Sequence, residues 1–252
     1  MSAIVQPSLA VAGSAAAHTP KEEILFVGFN QDQGCFSMGT TTGFRIFNTF
    51  PFKDTFSRGK ITLSTNPLHL DLDGGIGIVE LLYRTNIIAL VGGGDKPKWD
   101  HNKVMLWDDS QMKVIGELNF KTAVKAVKLR KDKYIYSILL TSSVRNRIIV
   151  VLEKKIYVYN FQTLKLEKKF ETTPNPRGLI AMSGSKDTCV LACLAGTKGN
   201  INVIHFDKNS HTLAIQAHVS DVNAIALNQD GTLVATASTK GQVIRIFSAE
   251  TG

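Results

Sequence analysis

Residues 235–247 carry the side chains whose types and spacing best suit the binding of an anion. Thr236 and Ser238 supply two hydroxyl groups and Arg245 supplies a guanidinium, and together these donors suit a phosphate group. The small residues around Thr236 favour an inner strand that neighbouring strands crowd closely. Lys240-Gly241 then predicts a turn, and an alternating strand follows it. We interpret the segment as a strand–turn–strand unit with a candidate phosphate site.

The sequence shows no catalytic motif, and one histidine has two interpretations. No His-Glu-x-x-His pattern or nucleophile elbow occurs, and the glycines at 92–94 lack the spacing of a phosphate-binding P-loop. In β-propellers built from WD-type repeats, a histidine that precedes a repeat often makes a structural hydrogen bond. This is one interpretation of His218. The other is that His218 donates to a phosphate near Ser238. We predict that the chain is not an enzyme.

The pattern around the candidate site also occurs near the start of the chain. The tripeptide Asn-Gln-Asp stands at 30–32 and again at 228–230, and an Arg-Ile-Phe run follows each copy. The distance from the aspartate to the next turn glycine, Gly43 or Gly241, is 11 positions in both copies, and the copies are 198 positions apart. Looser alternating strands lie between them. Repeated strand–turn–strand units predict an all-β fold, a WD-repeat β-propeller.

The charge of the chain favours an anionic partner. Its 252 residues are 44% hydrophobic and contain 29 Lys and Arg against 21 Asp and Glu, a net charge of +8. A basic surface attracts phospholipid headgroups or nucleic acid, and a solvated basic face without a partner is the alternative. Because no RNA-recognition motif, zinc finger or long arginine run occurs, membrane lipid is favoured over nucleic acid.

The remaining composition indicates a soluble protein without a metal. Cys35, Cys189 and Cys193 lack the spacing of a zinc site and are predicted to be buried, reduced thiols. Residues 1–23 are rich in Ala and Ser and are predicted to form a disordered tail rather than a secretory signal. The longest apolar run, near 134–144, is too short to span a bilayer.

Motifs from about Ile24 to Gly252 resemble those of the PROPPINs, the phosphoinositide-binding β-propellers of autophagy. The resemblance is carried by residues 29–36, 43–47, 89–94, 102–109, 124–130, 175–178 and 235–238. It implies a seven-bladed propeller that binds phosphatidylinositol 3-phosphate and phosphatidylinositol 3,5-bisphosphate and uses no cofactor. It also implies a cytoplasmic protein, peripheral on preautophagosomal and endosomal or vacuolar membranes, which recruits an autophagic lipid-transfer protein.

The resemblance also assigns residues to two sites. The lipid site comprises His218, Thr236, Ser238, Gly241 and Arg245, whereas Gln242 stands where the family usually has a threonine. Asn30 and Asp32 match family residues that help to hold the lipid-transfer partner. The recurrence of the same tripeptide at 228–230 favours a second interpretation, in which these residues only form a turn.

The chain departs from the family pattern in length and in two inserts. It ends before the family's Phe/Leu-Arg-Arg-Gly signature, so we expect about five blades in an open or incomplete ring over residues 24–252, with impaired lipid binding. Inserts near 60–70 and 134–144 explain the long repeat, since removing about 22 residues leaves about 44 per repeat. An alternative or mis-predicted transcript product is our hypothesis for these departures. The alternative function is a WD-repeat protein-interaction platform without a lipid role.

Overall fold

The computed structural model describes residues 22–59, 72–135, 142–206 and 211–252, which form five antiparallel sheets. Each sheet is a meander in which strands adjacent in sequence are also hydrogen-bonded neighbours. Four sheets have four strands, and the fifth has three among the described residues. No helix occurs in this part of the chain, so none is long and apolar enough to cross a membrane.

The strands of the first three sheets follow one another along the chain. The first sheet contains β1 (Ile24–Phe29), β2 (Cys35–Thr40), β3 (Gly43–Asn48) and β4 (Lys53–Gly59). The second contains β5 (Ile76–Leu81), β6 (Ile87–Gly92), β7 (Lys103–Asp108) and β8 (Lys113–Asn119). The third contains β9 (Ala126–Ile135), β10 (Ser142–Val151), β11 (Lys155–Asn160) and β12 (Leu166–Glu171).

The last two sheets complete the fold, and the fifth carries the second copy of the sequence repeat. The fourth sheet contains β13 (Ile180–Met182), β14 (Val190–Leu194), β15 (Asn200–His205) and β16 (His211–Gln216). The fifth contains β17 (Val222–Leu227), β18 (Leu233–Ser238) and β19 (Ile244–Ser248). The all-β prediction and the strand–turn–strand interpretation of residues 235–247 are confirmed.

Four apolar clusters form the core, one between each pair of successive sheets. The run at 148–151 shows why the sequence produces this arrangement. Ile148 and Val150 pack towards the second sheet, whereas Ile149 and Val151 pack towards the fourth, because successive side chains of a strand point to opposite faces. A strand covered on both faces therefore needs a continuous apolar run instead of an alternating one.

Buried and partly buried charged groups join the sheets beside these clusters. Arg58 of the first sheet donates to both carboxylate oxygens of Asp109, next to the second, at 3.0 and 3.1 Å. Lys128 of the third sheet pairs with Glu80 of the second at 3.0 Å. Burial raises the pKa of Glu80, although the charge of Lys128 acts against this shift. Arg130 is fully buried and donates to three carbonyl groups of the fourth sheet's first hairpin.

Gln31, in the first turn of the first sheet, is hydrogen-bonded to the second, third and fifth sheets. Its side-chain amide nitrogen donates to the Leu81 and Leu129 carbonyls at 2.6 and 2.9 Å, and its side-chain oxygen accepts the Tyr83 amide at 2.7 Å. Its own carbonyl accepts a bond from Gln229 of the fifth sheet at 3.2 Å. The two copies of the repeated tripeptide therefore meet in space.

The first and fifth sheets bear most of the exposed large apolar side chains. Ile24 and Phe29 are 63% and 60% exposed, and Ile244 and Ile246 of β19 are 74% and 66% exposed. The interior sheets, in contrast, have fully buried strands such as β14. This distribution matches the incomplete ring expected from the sequence.

Three sequence predictions fall at the limits of the described residues. Residues 1–21 of the predicted tail lie outside them, whereas Glu22 and Glu23 contact the first sheet. The predicted insert near 60–70 also lies outside the described residues. Of the insert near 134–144, the described residues lie in β9 and β10, so they lengthen this hairpin to ten residues a strand.

Candidate functional site

His218 and Thr236 of the candidate lipid site are bonded to each other. The Nε2 atom of His218 lies 2.9 Å from the hydroxyl of Thr236, and the two residues are only 4% and 1% exposed. This bond fixes the segment before the fifth sheet against β18. The structural interpretation of His218 therefore explains the positions of both side chains. Contact of either residue with a lipid stays a prediction.

Ser238, Gly241 and Arg245 surround the turn at the end of β18. Ser238 is the last residue of that strand, and its carbonyl accepts the amide of Gly241 at 3.0 Å. Gly241 has a positive φ of 68°, and a Cβ placed there meets no atom within 4 Å, so the rim of the turn is open. Arg245 pairs with Thr236 across the strands and donates to the Ala217 carbonyl at 2.7 Å. The structure therefore brings the five predicted residues to one end of the fifth sheet.

The first sheet contains a counterpart of this site with an anion in place. The Glu22 carboxylate accepts bonds from the hydroxyls of Thr40 and Thr42 at 2.8 and 2.7 Å and from the guanidinium of Arg45 at 2.7 Å. Burial alone raises the pKa of Glu22, but these hydroxyls and the Arg45 charge lower it overall. Two hydroxyls and a guanidinium are the donors that the sequence suggested for the fifth sheet, and here they hold an oxyanion.

Hydrogen bonds and register show that the two sites occupy equivalent positions. The amide of Thr41 donates to the Glu23 carbonyl at 3.0 Å, and 198 positions later Thr239 donates to the Asp221 carbonyl at 2.9 Å. The same offset relates Thr40 to Ser238. Arg45 pairs with Met38 across the first sheet. Arg245 pairs with Thr236, which lies 198 positions after Met38.

One substitution distinguishes the two sites. The offset that superposes the sheets places Ser220 where the first sheet has Glu22. The turn between β18 and β19 is also two residues longer than the turn between β2 and β3. Lys240 follows the end of β18 by two positions, as Thr42 follows the end of β2. The fifth sheet thus keeps a hydroxyl and the guanidinium, gains a cation and lacks the carboxylate that fills the first-sheet site.

The predicted partner residues form the turn between β1 and β2. Asn30 is 4% exposed; its side-chain oxygen accepts the amide of Cys35 at 3.0 Å, and its amide nitrogen donates to Tyr83. In the second copy Asn228 accepts the amide of Leu233 in the same way, also at 3.0 Å. The turn-forming interpretation therefore describes both asparagines.

Asp32 differs from Asn30 because it faces solvent. Its carboxylate accepts the amide of Gly34 at 2.9 Å, and its side chain is 44% exposed beside Arg84 at 3.4 Å. Lys131 and Lys186 complete a pocket of about 290 Å³ around this pair. Asp32 is the member of the predicted partner pair whose side chain another protein can reach.

The cysteines lie inside the core. Cys35, Cys189 and Cys193 are buried and unpaired, and burial raises the pKa of Cys193 to about 12. Among the described residues, no cluster of three or more His, Cys, Asp or Glu side chains could hold a metal ion.

Neither the role of Glu22 nor that of Arg130 was predicted from the sequence. Glu22 was assigned to the predicted tail, 18 positions before the nearest of its hydroxyl partners. The only signal that could have found it is the 198-position offset, since extending the offset backwards from Asn30 aligns Glu22 with Ser220. Arg130 lies in a basic run and gave no signal of burial.

Comparison with known sequences decides the family. A family model described as PROPPIN matches residues 101–252 of the chain. The chain belongs to the PROPPIN family. Autophagy-related protein 18 of Dictyostelium discoideum is 36% identical to this PROPPIN over 227 residues, which cover 90% of the chain and 54% of the relative. Autophagy-related protein 18e of Arabidopsis thaliana is 34% identical over 256 residues, covering 98% of the chain and 62% of the relative.

Solved structures support the same fold. Hsv2 of Kluyveromyces lactis matches this PROPPIN with a TM-score of 0.67 at 23% identity, over 92% of the chain and 61% of the Hsv2 chain. A second match, a complex of KlAtg21 with the coiled coil of AgAtg16, has a TM-score of 0.65 at 26% identity and covers 89% of the chain and 65% of the matched chain. The PROPPIN spans about half to three fifths of the curated relatives described here. The resemblance noted from the sequence motifs is confirmed.

Proposed function

We propose that this PROPPIN is a non-enzymatic scaffold of autophagosome formation that binds phosphoinositide headgroups at its fifth sheet. Its ligands are phosphatidylinositol 3-phosphate and phosphatidylinositol 3,5-bisphosphate, and it acts in the cytoplasm as a peripheral protein on preautophagosomal and endosomal or vacuolar membranes. The relatives named autophagy-related protein 18 support the process. One structural observation carries the site: the positions equivalent to Ser238 and Arg245 hold a carboxylate in the first sheet.

The charges around the fifth-sheet turn suit a phosphate monoester. Lys240 is exposed at the turn, and the guanidinium of Arg245 approaches the strand end from the neighbouring strand. The nearby Asp221 carboxylate lies 3.5 Å from Lys198, which offsets its charge. Because Ser220 stands where Glu22 fills the first-sheet site, no carboxylate of equivalent position competes for these donors. Charge-assisted hydrogen bonds from a guanidinium are strong and directional, so Arg245 is the strongest phosphate contact among the described residues of the site.

Flotation with phosphatidylcholine vesicles, with and without phosphatidylinositol 3-phosphate, tests this site. Arg245→Met combined with Ser238→Ala should reduce phosphoinositide-dependent flotation by about tenfold or more, since it removes a charge-assisted contact. Arg84→Met is the matched control, because Arg84 is an arginine 58% exposed in a turn at the opposite end of its sheet. Equal flotation of the double variant and the control would refute the lipid site.

A protein partner is proposed for the turn that carries Asp32. We propose that an autophagic lipid-transfer protein binds there, with the buried Asn30 holding the turn and Asp32 making contact. The solved complex of KlAtg21 with a coiled coil supports protein binding within this family. The basic pocket of Arg84, Lys131 and Lys186 around Asp32 supplies charged groups for recognition.

The repeat in the chain provides the control for the partner site. Asp32→Ala should weaken binding of the purified lipid-transfer protein, whereas Asp230→Ala in the equivalent turn of the fifth sheet should leave it unchanged. Isothermal titration with both variants measures the difference. If the two alanine variants bind alike, the aspartate at 32 is only a turn residue.

A further inference from the structure

The cluster around Glu22 in the first sheet is built as an oxyanion site. Three donors of the β2–β3 hairpin, the hydroxyls of Thr40 and Thr42 and the guanidinium of Arg45, converge on one carboxylate. Thr40 is only 1% exposed, so its hydroxyl is held in place, whereas the Arg45 and Glu22 side chains are 38% and 35% exposed. The donors are preorganised and a soluble anion can reach their outer edge.

The Glu22 carboxylate that occupies the site belongs to the short segment before β1. Glu22 precedes β1, and its neighbour Glu23 is held to Thr41 by two bonds, a backbone pair at 3.0 Å and a bond from its amide to the threonine hydroxyl at 3.1 Å. These bonds fix the backbone of Glu23 without using the Glu22 side chain. The carboxylate can therefore rotate away while β1 and the turn keep their places.

A second anion does not fit beside Glu22. The recess next to the carboxylate has a volume of about 10 Å³, which is about enough for one water molecule. Arg58 and Ser57 line the same recess, and Arg58 adds a second guanidinium to its wall while pairing with Asp109. Any oxyanion that binds here must therefore replace the Glu22 carboxylate.

We propose that Thr40, Thr42 and Arg45 form a second phosphate site, in the first sheet, which Glu22 occupies as an internal competitor. Its ligand is a phosphate monoester, either free in solution or as a lipid headgroup. A phosphate presents more acceptor oxygens than a carboxylate and carries more charge at neutral pH, so it gains more from the same three donors. This site is separate from the one proposed for the fifth sheet.

Removal of the competitor tests the proposal. The experiment uses the full 252-residue chain with Ser238→Ala and Arg245→Met, so that the fifth-sheet site does not contribute. In this background Glu22→Ser should raise the affinity for inorganic phosphate by about tenfold, because a competitor that occupies the site in about nine molecules of ten lowers the apparent affinity by that factor. Phosphate titration followed by amide chemical shifts should place the binding at Thr40 and Thr42.

Three further variants identify the donors and the competitor. Arg45→Met should abolish the gain produced by Glu22→Ser. Glu23→Gln is the matched control for removal of a carboxylate, since the Glu23 contacts to Thr41 use its backbone, and it should leave phosphate affinity unchanged. Glu22→Gln keeps the shape of the side chain without its charge and should give an intermediate gain.

A second experiment, with vesicles, distinguishes free phosphate from a lipid headgroup as the ligand. A gain with inorganic phosphate identifies a site for soluble phosphate, and a gain only with phosphatidylinositol 3-phosphate vesicles identifies a headgroup site; both support the proposal. No gain in Glu22→Ser or Glu22→Gln with either probe overturns it and leaves Glu22 as a structural contact. That result would not affect the fifth-sheet site, which is absent from the background used.

Discussion

A carboxylate introduced at position 220 should occupy the fifth-sheet site and compete with phosphoinositide. Ser220 occupies the position that Glu22 has in the first sheet, where a carboxylate reaches Thr40 and Arg45. Ser220→Glu should therefore place its carboxylate on Ser238 and Arg245. Phosphoinositide would then have to displace an internal anion, and its apparent affinity should fall.

The expected magnitude follows from the first-sheet contacts. Hydrogen bonds to charged groups contribute about 1.5–3 kcal/mol each when they are buried. The Arg45–Glu22 pair is more than a third exposed on both sides, and exposed pairs contribute only about 0.2–1 kcal/mol. The fifth sheet also has Lys240 in place of the Thr42 hydroxyl. A net gain of about 1–1.5 kcal/mol remains, which corresponds to a loss of lipid affinity of about tenfold.

A second effect of the new charge has to be separated from this competition. Any added carboxylate near an anionic membrane weakens binding, by about 1 kcal/mol per charge. Val219→Glu adds the same charge one residue away, at a side chain that is 85% exposed, and serves as the control. In vesicle flotation Ser220→Glu should lose about tenfold more affinity than Val219→Glu. Equal losses would refute the reasoning, because they would show that the new carboxylate does not reach the site.

Three other perturbations have defined outcomes. Arg130→Met should lower the free energy of unfolding by about 3–5 kcal/mol in urea denaturation, because it removes the donor of one buried and two partly buried carbonyls of the fourth sheet. A loss below 1 kcal/mol contradicts this. The stability that the unmodified chain gains over Glu22→Gln should be complete above pH 4.5 and disappear as the pH falls below it, because the folded chain lowers the Glu22 pKa from 4.5; a difference that is constant with pH contradicts it. Ile244→Lys with Ile246→Lys should raise the concentration at which light scattering detects aggregates, since both side chains are mostly exposed on the edge strand β19, and unchanged scattering would show that this edge does not associate.

The local features of the fold could be predicted from the sequence. Alternating and continuous apolar runs give the strands, and the copies of Asn-Gln-Asp give equivalent turns in which Asn30 and Asn228 accept the amide five positions later. These patterns depend on residues close together in the chain, where period and turn chemistry apply. The grouping of Ser238, Gly241 and Arg245 is of this kind, because one hairpin carries all three.

Contacts between sheets could not be predicted in the same way. The occupancy of the first-sheet site by Glu22 and the burial of Arg130 depend on partners 18 to 58 positions away. A single sequence contains no signal for such distances except a repeat. The repeat aligned Glu22 with Ser220 and so distinguished two sites that have similar donors.

The contacts of Gln31 have a consequence for the order in which the molecule folds. Each sheet is a local meander that can form early, whereas the bonds of Gln31 join residues 50, 98 and 198 positions apart. We expect these bonds to form after the folding barrier has been crossed. Gln31→Ala removes the side-chain bonds to Leu81, Leu129 and Tyr83 and keeps the backbone carbonyl that Gln229 contacts. It should then leave the refolding rate nearly unchanged and accelerate unfolding, so the Gln31 side chain determines how long the folded chain persists.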